Sequence, residues 1–102
     1  RSFCYVDDLI EGLILLMNSN IQGPVNLGNP SELKIIELAK KIRTKINPSS
    51  KFIKKKLPQD DPSRRRPNID LAINKLEWAP KVSINDGLDK TIIYFKKNLN
   101  QN

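Results

Sequence analysis

The chain has 102 residues, 18 Lys and Arg against 11 Asp and Glu, no histidine and a single cysteine. That length suits one domain with one core. The missing histidines exclude an imidazole general base and a His-ligated zinc site, and a lone Cys4 excludes an intrachain disulfide, so no metal centre is expected. No apolar run approaches the roughly 20 residues that span a bilayer, so no membrane contact is expected. A start on Arg1 instead of Met, with no signal-peptide pattern, predicts a piece of a longer polypeptide.

The net charge of +7 is concentrated. Residues 1–50 and 68–102 each carry +1, and the remaining +5 lies in residues 51–67, KFIKKKLPQDDPSRRRP. The partner is therefore expected to be anionic where that connector lies.

Apolar residues Leu9, Ile10, Leu13, Leu16 and Met17 recur at helical spacing, which predicts a helix over 8–18. Asp8 followed by Glu11 has the form of a capping box. This helix is apolar around much of its circumference, so contact with protein outside the chain is expected. Val25-Asn26-Leu27 reads as a short strand ended by Gly28-Asn29-Pro30. A second amphipathic helix is predicted at 33–46, with Ile35, Leu38, Ala39, Ile42 and Ile46 as its core face. Phe52-Ile53 reads as another short strand. The basic connector, with Pro58, Pro62 and Pro67, reads as ordered loop. Asp70 is expected to cap a short helix over 71–77 presenting Leu71, Ile73 and Leu76. Ser83 is expected to start the last helix, 84–98, whose core face is Leu88, Ile92, Phe95 and Leu99, with residues 98–102 frayed.

Adjacent carboxylates at Asp7-Asp8 and Asp60-Asp61 do not straddle a substrate, and Cys4 has no basic partner, so no autonomous active site is visible. The four glycines stand apart at 12, 23, 28 and 87, which spells neither a phosphate loop nor a dinucleotide fingerprint. Arginine is the better signal. Guanidinium groups hold phosphate or carboxylate through paired planar donors, and Arg1 and Arg64-Arg65-Arg66 are the places to look. An autonomous basic module for nucleic acid or another polyanion is the alternative of another class. It is the weaker one, since only Phe52 interrupts the basic run as a stacking platform.

In combination, Arg-x-Phe-x-Tyr-Val-x-Asp-Leu (1–9), Asn-Leu-Gly-Asn-Pro (26–30), Asp-Asp-Pro-x-x-Arg-x-Pro-x-Ile (60–69) and Leu-x-Trp-x-Pro (76–80) resemble the C-terminal part of the nucleotide-sugar epimerases and dehydratases. These are extended short-chain dehydrogenase/reductases, and the likeness is greatest to the members that decarboxylate UDP-glucuronate; dTDP-glucose 4,6-dehydratases and UDP-sugar 4-epimerases are the alternatives within the group. The resemblance implies an α/β protein in which this chain, residues 1–102, forms a mostly helical substrate-binding lobe with two or three short strands. Such a lobe packs on an N-terminal Rossmann domain that is absent here. It implies a UDP-sugar substrate, UDP-glucuronate, and NAD held by the complete enzyme, with no cofactor bound by this chain alone. A cytoplasmic homodimeric parent goes with it.

The family's substrate-binding residues fall on Arg1, Arg65, Gln59, Asp61 and Asn26. Arg65 is the one residue to which the resemblance gives a role in the chemistry, and its register within Arg64–Arg66 is defined to about one residue. The family's Tyr-x-x-x-Lys pair is missing, because neither Tyr5 nor Tyr94 has a lysine four positions on. The isolated chain is therefore expected to be inactive. Lys34 stands where relatives place Thr or Ser, which predicts an uncapped second helix.

Overall fold

The computed structural model describes residues 1–53 and 66–99. Four helices account for its regular structure: α1 (Val6–Met17), α2 (Ile35–Ile46), α3 (Asp70–Leu76) and α4 (Ile84–Leu99). Each lies within two residues of the span expected from its apolar period. α4 continues through Leu99, where Asn98 Nδ2 still donates to the carbonyl of Tyr94.

The expected strands do not form. Among the described residues the backbone makes one isolated antiparallel bridge, Ser2 to Glu32. Val25–Leu27 and Phe52–Ile53 run without ladder partners. A short apolar run becomes a strand only when another segment satisfies its N–H and C=O groups, and the described residues bring none alongside.

The core is small and sits where α3 meets α1. Ile69, Ala72, Leu76 and Trp78 are buried, with Cys4, Leu15, Leu16, Ile21, Val25 and Leu27 packed around them. The expected face of α3 is corrected here, since Leu71 and Ile73 are 43% and 45% exposed while Ala72 is fully buried. A helix of only seven residues can offer one narrow stripe, and Trp78 selects the Ala72–Leu76 side. Gly12 of α1 permits the close approach: a Cβ there would stand 3.1 Å from both Leu27 methyls and from Trp78 Cε2.

Asp8 does not cap α1. The helix begins two residues earlier, and Tyr5 at its N-cap makes no side-chain bond. Asp8 is instead buried, and its Oδ2 accepts from the backbone N–H groups of Lys81 (3.0 Å) and Val82 (2.9 Å). Its carbonyl accepts from Trp78 Nε1 at 2.9 Å. Glu11, the other half of the expected box, faces Lys81 Nζ at 3.2 Å. Asp70 is likewise inside its helix, and Asn68 Oδ1 accepts its N–H at 2.9 Å. Ser83 does cap α4, its Oγ accepting from Asp86 N at 3.2 Å. Lys34 heads α2 without a side-chain cap, as its chemistry requires.

The remaining helices are loosely covered. α2 has no buried residue, and Ile35 and Ile46 at its ends are exposed. Phe95 and Leu99, expected in the core, are exposed on α4, where Gly87 is the buried position. α2 and α4 meet through polar tips, Lys41 Nζ on Asn85 Oδ1 and Lys45 Nζ on Asp89 Oδ1.

Candidate functional site

The first four residues run extended beside the loop before α2. Leu33 N–H donates to the Arg1 carbonyl at 2.8 Å, and the Arg1 ammonium donates back to the Leu33 carbonyl at 3.1 Å. This pairing brings Ser2 and Cys4 to one wall of a cavity of about 720 Å³. The Asn-Leu-Gly turn forms the opposite wall, and the end of the basic connector closes it.

Two contacts join the turn to that end of the connector. Asn26 Nδ2 donates to the Asn68 carbonyl at 3.3 Å. Gly28 is buried against the ring of Pro67, so close that a Cβ on it would stand 3.0 Å from Pro67 Cγ. Asn29 Oδ1 accepts from Ser31 N–H at 2.9 Å and turns the chain away toward α2. Arg66 is exposed and borders both this cavity and a smaller hollow of about 390 Å³ lined by Pro30, Ser31 and Glu32.

The larger cavity thus presents a guanidinium, a serine hydroxyl and two asparagine amides, with no carboxylate among the described lining residues. Those groups suit an anionic, oxygen-rich ligand. Cys4 contributes no nucleophile, because burial and then the Asp8 charge push its thiol above the ordinary 9.0 and keep it protonated. No group of three or more His, Cys, Asp or Glu among the described residues could hold a metal.

Of the expected site residues, Asn26 lines the cavity, and Arg1 precedes the Ser2 that does. Arg65, Gln59 and Asp61 lie outside the described residues, as does most of the 51–67 connector. Arg66, next to the expected Arg65, is the arginine placed on the cavity wall. Ser2, Gly28 and Asn29 were not singled out as ligands in the sequence, although each sits inside a motif that was. Their signal was adjacency to Arg1 and Asn26.

A second cavity of about 750 Å³ lies between the start of α1 and the exposed face of α4. Its wall is mostly apolar, with Tyr5, Val6, Ile10, Leu88 and Phe95 among the lining residues beside Asp7 and Lys90. No helix among the described residues is long and apolar enough to cross a membrane.

No family model matches the chain. Its fold superposes on the UDP-glucose 4-epimerase of Thermotoga maritima, solved with UDP-glucose, with a TM-score of 0.88 and 28% identity over 97% of this chain and 32% of that one. With the four motifs, this makes the chain similar to the nucleotide-sugar epimerases and dehydratases of the extended short-chain dehydrogenase/reductases. Within that class it is similar to UDP-glucuronic acid decarboxylase 1 of Danio rerio, 50% identical over 97% of this chain and 24% of that protein. UDP-glucuronic acid decarboxylase 1 of Xenopus tropicalis is 46% identical over the same shares. UDP-glucuronic acid decarboxylase 3 of Arabidopsis thaliana is 44% identical over 98% of this chain and 29% of that protein. The chain spans about a quarter of the length of these relatives.

Proposed function

We propose that this chain is the substrate-binding lobe of a UDP-glucuronate decarboxylase, and that the cavity between Ser2, the Asn26–Asn29 turn and Arg66 receives the diphosphate of a UDP-sugar. The observation that carries this is the convergence, on one cavity with no carboxylate among its described lining residues, of the segments that hold Arg1, Asn26 and Arg66. Likeness of 44–50% to decarboxylases, against 28% to the epimerase, favours decarboxylation over epimerisation. Arg65, Gln59 and Asp61 complete the site in this reading.

The described residues do not fit a dinucleotide. They hold no strand leading through a glycine-rich turn into a helix, and their four glycines are isolated. NAD therefore belongs to the rest of the polypeptide, whose Rossmann domain covers the apolar stripe Val6, Ile10, Leu13, Ile14 and Met17 that α1 turns outward. A cytoplasmic homodimer is the matching whole.

Isothermal titration of UDP-glucuronate tests the site. Losing one guanidinium–phosphate pairing costs about 1.5–3 kcal/mol, so Arg1→Ala and Arg65→Ala should each weaken binding by roughly 10- to 150-fold. Salt-sensitive binding to RNA, with no effect of UDP-sugars, would instead favour the polyanion module.

A further inference from the structure

Gly28 and Pro67 meet where the Asn-Leu-Gly turn approaches the end of the basic connector. Gly28 is buried, and a Cβ at that position would stand 3.0 Å from Pro67 Cγ and 3.6 Å from Pro67 Cβ. Real Cβ atoms rarely come so near a neighbour, so a side chain here requires the proline ring to give by a few tenths of an ångström. The backbone of Gly28 does not explain the glycine: only Gly23, among the glycines, has positive φ, at 94°. What Gly28 requires is space, and Pro67 occupies it. The residue before that proline is Arg66, on the wall of both hollows. Proline also restricts the backbone of the residue before it, so a shift of the ring is passed directly to Arg66.

We propose that Gly28 is a positioning residue for the diphosphate site: its missing side chain lets Pro67 seat against the Asn-Leu-Gly turn, and that seat holds the Arg66 end of the basic connector at the cavity. The inference rests on the nucleotide-sugar reading above and adds to it a role for Gly28 that is exerted through Pro67 and Arg66. Gly28 and Pro67 act as one contact, so a methyl group added on one side is offset by carbon removed from the other. Arginine misplacement weakens the diphosphate interaction and leaves the nucleoside untouched.

A size swap in the full polypeptide tests this, with UDP and uridine titrated separately. Gly28→Ala should raise the Kd for UDP about fivefold or more while that for uridine changes less than twofold. Pro67→Ala alone, which opens the contact without adding a Cβ, should raise the Kd for UDP about two- to threefold. The double variant, Gly28→Ala with Pro67→Ala, sets the added methyl against the space left by the lost ring and should return the Kd to within twofold of the unaltered protein. Helical content by circular dichroism accompanies each titration, and if Gly28→Ala does not fold, the Pro67→Ala and double variants still decide. Equal losses for UDP and uridine, no loss at all, or a double variant no better than either single one would overturn the positioning role. An unaltered protein that binds neither UDP nor uridine would instead overturn the nucleotide-sugar reading, and this inference with it.

Discussion

Asp8 joins two parts of the chain 73 residues apart, its buried carboxylate holding the N–H groups of Lys81 and Val82. The same residue accepts Trp78 Nε1 on its carbonyl, so α1 is pinned to the loop that leads into α4. Its letters, Asp then Glu three later, are those of a local cap, and sequence spacing has no way to separate a local acceptor from one used far along the chain. Hydrogen bonds to a charged group contribute about 1.5–3 kcal/mol, and Asp8→Ala strands two donors. Urea unfolding should therefore show a loss of about 2–4 kcal/mol for Asp8→Ala. Asp8→Asn keeps an acceptor oxygen and should lose less than half of that. Near-equal stability of all three would mean that water replaces the carboxylate. Cys4 adds a pH term of definite sign. Its thiol ionises above the ordinary 9.0 in the folded chain because burial and the Asp8 charge disfavour the thiolate. Below that value both states keep the proton and pH has no effect through this group. Above it the unfolded chain loses the proton first, so stability falls as pH climbs toward the folded value. Cys4→Ala should remove that part of the alkaline slope, and an unchanged slope would refute it.

At the scale of elements, the helices were legible because a 3.6-residue apolar period is a local property of the chain. Their buried faces were less so. On α1 the buried positions are Asp8 and Gly12, while Ile10, Leu13 and Ile14 are about half exposed, the reverse of an ordinary amphipathic helix. Helical spacing grouped Leu9 and Leu16, which are half-buried, with Ile10, Leu13 and Met17, which are exposed. Strands at 25–27 and 52–53 were illegible because a strand is a relation between segments. Of the site segments marked by motifs, Asn26 lies on the cavity wall together with Arg66, the one described member of the arginine triplet. The end of α3 carries an element-scale prediction. Glu77 closes the helix at φ 53°, and both its N–H and that of Trp78 turn back to the Ala72 carbonyl. This left-handed position suits glycine, and a side chain there costs about 1–2 kcal/mol. Part of the relief is offset by the greater freedom of glycine in the unfolded chain. Glu77→Gly should consequently stabilise the chain by about 0.5–1 kcal/mol, raising the urea midpoint with its slope unchanged. A lower midpoint would mean that Glu77 makes contacts worth more than the strain.

For the whole molecule, the balance between covered and uncovered apolar surface decides how the chain behaves. Its buried hydrophobic residues among those described are Ile69, Ala72, Leu76 and Trp78. Against these stand Val6, Ile10, Leu13, Ile14 and Met17 on one face of α1, and Ile93, Tyr94, Phe95 and Leu99 on α4, all between 46% and 81% exposed. Soluble monomers seldom leave contiguous apolar patches of this kind open, because each fully covered side chain gains about 1.5–3 kcal/mol. The ties between α2 and α4 do not compensate, since an exposed pair such as Lys45 with Asp89 is worth about 0–1 kcal/mol. The 102-residue chain alone should therefore enhance the fluorescence of an apolar dye such as ANS and unfold over a broad thermal range. Joined to the polypeptide of a complete decarboxylase-like protein, the same chain should lose the dye signal as the α1 stripe is covered. Ile14→Lys separates cause from coincidence. The residue is 52% exposed, so the charge should alter the lone chain's stability by less than about 0.5 kcal/mol while lowering its dye binding. In the longer polypeptide the same substitution places a lysine in a dry interface, and the dye signal should return together with a lower melting temperature. A lone chain that melts sharply without binding the dye would show that its own residues already suffice to cover the stripe.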